Sequence, residues 1–181
     1  MEGKKLLVLS DTHGCLSDTK AVFKWTKNHL PPNDTINSAV FLGDGYNDIC
    51  NETAVSNLGI EWKFVRGNND FNHLIPESLV FDFSGYRFFL CHGHRHGLYG
   101  GYSSLIHSAQ VNDANVVLFG HIHYPYYKIV DNIYLINPGS AGRPRGKTGS
   151  TFAIIECSPE EKLSVKFYEI SGKEIIREIK I

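Results

Sequence analysis

Val116-Val117-Leu118-Phe119-Gly120-His121-Ile122-His123 opens with four apolar residues, two of them β-branched, which read as a buried strand. The strand stops at Gly120, and two histidines follow at i and i+2. In extended backbone such residues project to the same side, so both imidazoles can face one point. Imidazole is the commonest protein metal ligand, and the carboxyl ends of strands are favoured site positions in α/β folds. Taken alone, the pair reads equally well as two ordinary loop histidines. The remainder of the chain separates the two readings.

The same pattern recurs upstream. Leu6-Leu7-Val8-Leu9 reads as a strand ending in Ser10-Asp11-Thr12-His13-Gly14, with a carboxylate and an imidazole again two apart. Ala39-Val40-Phe41-Leu42 ends in Gly43-Asp44-Gly45, whose glycines leave the carboxylate open to close approach. A third strand, residues 61 to 66, closes on Gly67-Asn68-Asn69-Asp70. Leu79, Phe81 and Phe83 alternate with polar partners before Gly85 turns the chain into Arg87-Phe88-Phe89-Leu90-Cys91. That hairpin delivers His92-Gly93-His94.

Between the strands, residues 17 to 30 read as a helix stopped by Pro31-Pro32. Asp48 is expected to cap a second helix, with Cys50, Ala54 and Leu58 on its buried face and Gly59 at its end. Strand–helix alternation implies a parallel sheet whose loops gather along one edge. Ser103 or Ser104 caps a helix that leads into Val116. The last third, Thr151 to Glu156, Leu163 to Ile170 and Glu174 to Ile181, alternates as an antiparallel meander. No repeat or linker interrupts residues 1–181, which are expected to form a single domain with two sheets.

Composition narrows the class. With 42% hydrophobic and 20% charged residues among 181, this is an ordinary globular chain. A formal charge of −1 provides no footprint for nucleic acid or an anionic membrane. The four cysteines are scattered without a C-x-x-C pair, which speaks against a disulfide framework or a thiolate zinc site. No signal-like or membrane-spanning run is present, so a cytoplasmic location is expected. Seven of the nine histidines fall between positions 73 and 123.

Asp11, His13, Asp44, Asn68, His92, His121 and His123 are thus seven oxygen or nitrogen donors, each just past a strand. That is too many for one tetrahedral zinc and suits two ions sharing a carboxylate. The donor set accommodates Mn²⁺, Fe²⁺, Co²⁺, Ni²⁺ or Zn²⁺. The series Asp11-x-His13, Gly43-Asp44, Gly67-Asn68-x-Asp70, His92-Gly93-His94 and Gly120-His121-x-His123 resembles the calcineurin-like metallophosphoesterase superfamily. The small size and the Asn137-Pro138-Gly139-Ser140 loop resemble its small bacterial and archaeal phosphodiesterase branch, which includes a retromer subunit of eukaryotes. The match runs from residue 6 to about residue 145.

The resemblance implies an α/β fold: a two-sheet β-sandwich flanked by helices, in four layers α/β/β/α. It implies a phosphodiesterase with two divalent ions, Mn²⁺ before the others, and a hydroxide bridging them as nucleophile. Asp11, His13 and His123 would bind one ion and Asn68, His92 and His121 the other, with Asp44 shared. Asp70 and His94 are expected to orient imidazoles or handle protons. Asn69 and Arg143 are expected at the substrate, a small phosphodiester. Asn69 stands where much of the superfamily has a histidine thought to protonate the leaving group, and an amide cannot do so. A non-catalytic module like the retromer subunit is the alternative, but no ligand position is lost here. A homo-oligomer is compatible with everything above.

Overall fold

A computed structural model describes residues 3–29, 35–51, 59–158, 163–171 and 174–179. Among these, β1 (Lys4–Leu9), β2 (Ile36–Phe41) and β3 (Glu61–Phe64) pair in parallel. β9 (Ser150–Cys157) runs antiparallel to β1, and β10 (Ser164–Ser171) and β11 (Glu174–Ile179) continue the same sheet. Its order is β11-β10-β9-β1-β2-β3. A second sheet has the order β4-β5-β6-β8-β7. It is built from β4 (Ser78–Phe83), β5 (Tyr86–Cys91), β6 (Val116–Phe119), β7 (Pro125–Val130) and β8 (Ile133–Pro138).

Alternation along each strand divides the apolar residues between three cores. Leu6, Val8, Val40 and Leu42 meet Phe88, Leu90, Val116, Leu118 and Ile136 between the sheets. Leu7, Leu9, Ala39, Phe41, Phe152 and Ile154 point the other way, against Ala21, Val22 and Phe23 of α1 (Leu16–His29) and Ile49 of α2 (Tyr46–Cys50). On the far side, Phe89, Cys91, Val117, Phe119 and Leu135 pack on Leu105 and Ala109 of α3 (Ser103–Val111). The order is therefore helix, sheet, sheet, helix. Strands such as β6, buried at all four residues, need apolar side chains on both faces, and this is why they read as unbroken hydrophobic runs.

Three local expectations change. Neither Ser103 nor Ser104 caps α3: both lie inside the helix, whose N-cap is Tyr102 with no side-chain cap bond. Asp48 is not a cap: α2 begins after Gly45, and Asp48 lies in its first turn. Cys50 is exposed, and Ile49 carries the burial of that helix. The expected Pro31-Pro32 stop and the stretch from Ala54 to Leu58 fall outside the described residues.

What matters for the site is where the parallel strands end. β1 and β2 stop in register, Leu9 opposite Phe41, and β5 and β6 do likewise, Cys91 opposite Phe119. The two sets of carboxyl ends meet across the sandwich. The His92 ring reaches the Leu42 carbonyl at 2.7 Å, and the backbone N–H of Ala141 donates to Ser10 O at 3.0 Å.

Candidate metal centre

Left-handed backbone, not extended backbone, aims the loops. Asp11, His13, Asp44, His121 and His123 all have φ between 46° and 72°. Nine non-glycine residues have positive φ among those described, and these make up five of them. Such conformations are uncommon outside glycine and persist only where the surroundings over-determine them. The i, i+2 expectation thus reaches the right convergence through the wrong geometry. A chain reversal at each strand end, rather than strand alternation, turns the side chains toward one place.

Two clusters of ligating atoms result, each with its atoms within 4.8 Å of one another: Asp11, His13 and His123, and Asp11, Asp44 and His92. Asp11 Oδ1 lies 3.0 Å from His123 Nε2 and 3.6 Å from His13 Nε2. His13 Nε2 and His123 Nε2 are 3.2 Å apart. Asp44 Oδ2 lies 3.4 Å from His92 Nε2 and 3.7 Å from His13 Nε2, which places this oxygen between the clusters.

Burial makes the arrangement costly unless something fills it. Asp11 Oδ1 and His92 Nε2 are buried and make no hydrogen bond. An unsatisfied buried polar atom costs about 1–3 kcal/mol. A cation between these atoms would satisfy both. The tautomers agree. His92 Nδ1 donates to Leu42 O at 2.7 Å and His123 Nδ1 to Arg143 O at 2.6 Å, because a carbonyl can only accept. Each ring therefore presents the lone pair of Nε2 to the centre, as metal-binding histidines do.

The charges fit as well. Burial alone would raise the Asp11 carboxyl, but the imidazoles of His123, His13 and His92 outweigh it and hold it well below the usual range. Burial likewise opposes Asp44, and His92 and the Asn69 hydrogen bonds lower it in spite of that. Burial, followed by the charge of His92, lowers His121. The site is anionic oxygen beside imidazole, with no thiolate.

The other expected residues are placed as follows. His121 donates its backbone N–H to Asp11 Oδ2 at 3.0 Å, and its ring stands edge-on to His92 with centroids 5.2 Å apart. It flanks the second cluster. Asn68 is exposed, while its neighbour Asn69 holds Asp44, backbone N–H to Oδ1 at 2.7 Å and side-chain amide to Oδ2 at 2.6 Å. His94 is partly buried, with its Nδ1 unpartnered. It lines a second cavity of about 280 Å³ with His92, Arg95 and His96. The side chain of Arg143 is exposed and borders the main cleft.

Asp70 does something other than orient an imidazole. Its carboxylate accepts the backbone N–H groups of Asp44, Gly45, Tyr46 and Gly67 at 2.8–2.9 Å. It clamps the Asp44 loop to the start of α2, a turn whose free N–H groups favour an anion. Replacing Asp70 by Ala strands four donors at once. We expect a loss of at least about 2 kcal/mol in denaturant-monitored stability, with weaker metal binding, and a smaller loss for Asp70→Asn. Unchanged stability in both variants would remove the clamp from the account.

Several supports carry no signal in the linear sequence. Asp48 Oδ2 accepts Thr12 Oγ1–H at 2.6 Å and the Gly14 N–H at 2.7 Å, tying down the loop of Asp11 and His13. Ser10 donates its hydroxyl to Asp11 Oδ2. Ser140 Oγ–H donates to Asp11 O at 2.7 Å, and Asn137 Nδ2–H to Gly120 O at 2.7 Å. The Asn-Pro-Gly-Ser loop is therefore a buttress under two ligand loops. Gly67 and Gly120 are obligatory for a different reason: a Cβ at either would collide with the Asp44 or the Ser10 side chain respectively.

Comparison with known proteins agrees with this geometry. A probable metallophosphoesterase of Mycoplasma pneumoniae is 34% identical over 145 residues, 78% of this chain and 81% of the relative. Among solved structures, zinc-complexed Vps29 of Entamoeba histolytica matches with a TM-score of 0.76 at 19% identity, covering 97% of this chain and 98% of that one. A structure described as a novel archaeal phosphodiesterase matches with a TM-score of 0.67 at 22% identity, covering 89% and 98%. The model of the calcineurin-like phosphoesterase superfamily domain matches residues 5–160, which take in both ligand clusters, the whole five-stranded sheet and the β9-β1-β2-β3 part of the other, and the chain belongs to that superfamily.

Proposed function

We propose that this metal-dependent phosphoesterase is a phosphodiesterase working with two divalent ions. The observation that carries the proposal is the pair of ligand clusters that share Asp11 and are linked by Asp44 Oδ2, with the ligating atoms Asp11 Oδ1 and His92 Nε2 buried and without a hydrogen bond. Asp11, His13 and His123 would hold one ion, and His92, His121 and Asn68 the other, with Asp44 between. Divalent ions bound there would supply Lewis-acid charge to phosphoryl oxygens and a nucleophile near neutral pH. The chain's own groups orient the centre. Leu42 O and Arg143 O fix the two imidazoles, Asn69 fixes Asp44, and Asp70 fixes the loop that carries it.

Charge in the cleft favours a diester. Its lining includes His13, Asp44, Asn69 and Arg143, and Arg143 is the lone permanent cation among the described lining residues. One guanidinium beside the ions suits a monoanionic diester better than the dianion of a monoester. The similarity to an archaeal phosphodiesterase is compatible with this, as a likeness of fold. The similarity to Vps29 is of the same kind. Against a purely structural role stands the buried, unpartnered ligand geometry. Mn²⁺ is the proposed ion, and the four free thiols suit a reducing cytoplasm.

Metal-free protein should be resupplied in turn with Mn²⁺, Fe²⁺, Co²⁺, Ni²⁺ and Zn²⁺. Each form is then assayed on phosphomonoesters, diesters and cyclic nucleotides. We expect two bound equivalents and faster diester than monoester hydrolysis. One equivalent, or faster monoester hydrolysis, would refute the proposal.

Acid should compete with the ions. Burial opposes charge on His92, but Asp44 and Asp11 outweigh it and raise its pKa above the ordinary histidine value. Because Nδ1 already donates to Leu42 O, the proton that must leave is on Nε2. Metal binding therefore releases protons, and affinity falls as pH drops through the neutral range. Titration calorimetry in buffers of different ionisation enthalpy should show proton release, and excess metal should restore acid-limb activity. No proton release at neutral pH would contradict the His92 assignment.

A further inference from the structure

The main cleft, about 440 Å³, is lined by two kinds of residue. Its lining includes His13 and Asp44, from the metal centre, and also Tyr46, Asn47, Asn69, Phe71 and Asn72. Phe71 is 88% exposed, so its ring is used in no core. Tyr46, by contrast, is held in place: its ring stands edge-on to Phe64 with centroids 5.1 Å apart, and its N–H is bonded to Asp70. Asn69, the other neighbour of the metal centre in this lining, is already spent on Asp44. Asn47 and Asn72 add carboxamides, which offer both donors and acceptors.

Exposing a phenylalanine ring to water is unfavourable, and covering its face with a planar group lowers the free energy. Here such a surface lines the same cleft as His13 and Asp44 of the metal centre, together with carboxamides and a single permanent cation, Arg143. Stacking face, amide edges and low positive charge together match a nucleobase, or another planar aromatic group, carried on a singly charged phosphate ester. A bare alkyl diester would leave Phe71 uncovered. A polyphosphate would lack cations to meet it.

We infer that Phe71 is a specificity-determining residue, which stacks on a nucleobase or aryl group of the diester that remains on the phosphate after cleavage. The inference rests on the phosphodiesterase reading above. Because it concerns the retained group, it separates from leaving-group chemistry.

The test compares thymidine 5′-(4-nitrophenyl phosphate), phenyl 4-nitrophenyl phosphate and methyl 4-nitrophenyl phosphate on metal-loaded protein. All three lose the same phenolate and differ in what is kept. Wild type should prefer the thymidine ester over the methyl ester by about tenfold in kcat/KM, mostly through KM, within the range for stacking one base. Phe71→Ala should bring the ratio towards one, and Phe71→Trp should keep or raise it. Leu74→Ala, at a residue that is 93% exposed and outside the cleft lining, should leave the wild-type ratio. A phenyl ester that matches the thymidine ester assigns the subsite to aryl groups at large, and a thymidine-only preference assigns it to bases.

Binding of a hydrolysis-resistant thymidine 5′-phosphonate diester by calorimetry provides a readout that needs no turnover. If no diester is cleaved yet the analogue binds about tenfold more weakly to Phe71→Ala, the phosphodiesterase reading fails and the subsite stands. Equal affinity in wild type and Phe71→Ala, or a wild-type ratio near one, overturns the subsite.

Discussion

Asp44→Asn should lose the second equivalent of metal and most of the activity together. The substitution is chosen for its geometry. Asp44 has φ +61°, a conformation that asparagine tolerates and alanine does not, so the loop keeps its shape. The backbone N–H of Asn69 can still bond the remaining carbonyl oxygen. What is lost is the charged acceptor oxygen that lies 3.4 Å from His92 Nε2 and 3.7 Å from His13 Nε2, and with it the bond that Asn69 Nδ2 donates there. An oxygen between two cations is stabilised by both, and its loss acts on both sites at once. Affinity for the second ion should therefore fall by more than the ~10–100-fold that follows loss of a supporting hydrogen bond. Asp44→Ala should abolish dinuclear binding outright, with added backbone strain. Metal content by plasma emission, titration calorimetry and turnover on one preparation check this. Two equivalents bound at near wild-type affinity would mean that Asp11, which belongs to both clusters, is the bridge.

What the linear chain reveals and conceals follows from the range of each interaction. Strands such as Leu6–Leu9 and Val116–Phe119 are legible because burial on both faces demands apolar residues without interruption. The ligand loops are legible because polar residues directly after such a run have few reasons to be there. Their aim is not. Side-chain direction at Asp11, His13, His121 and His123 depends on positive φ, which aspartate and histidine adopt more often than most residues but too seldom to be foretold at a given position. The supports are less legible still. Asp48 reaches Thr12 across 36 positions, and Ser140 reaches Asp11 across 129. Such contacts have no local period. Asp70 could be seen in the Gly-Asn motif, but its four amide partners exist only once β2, α2 and β3 are assembled. Phe71 carries no signal in the chain, because an exposed aromatic in a loop has no pattern around it.

The rate of diester cleavage should fall steeply as the leaving group becomes more basic. Asn69, at the position where a leaving-group acid would be sought, is a neutral amide. Its Nδ2 is committed to Asp44 Oδ2 at 2.6 Å. It can neither donate a proton outright nor leave Asp44 without cost. His94 is the other candidate, and burial, with the charges of His92 and Arg95, lowers its pKa, which works against the protonated form that an acid needs. It also lines the cavity with His96 rather than the cleft of His13 and Asn69. The departing oxygen must then leave as an anion or take its proton from water. General-acid catalysis is typically worth ~10²–10⁴-fold, and its absence falls mainly on poor leaving groups. Aryl diesters should accordingly be cleaved faster than alkyl diesters by at least ~10²-fold beyond what binding explains. Asn69→His puts an imidazole on the cleft wall and should flatten the dependence, improving alkyl esters selectively while weakening the hold on Asp44. His94→Ala should leave the slope as it is. The measurement is a series of methyl aryl and dialkyl phosphates with graded leaving groups, run on the three proteins at saturating metal. A shallow slope in the wild type, or a slope steepened by His94→Ala, would show that a protonated group does reach the departing oxygen, with His94 that group in the second case.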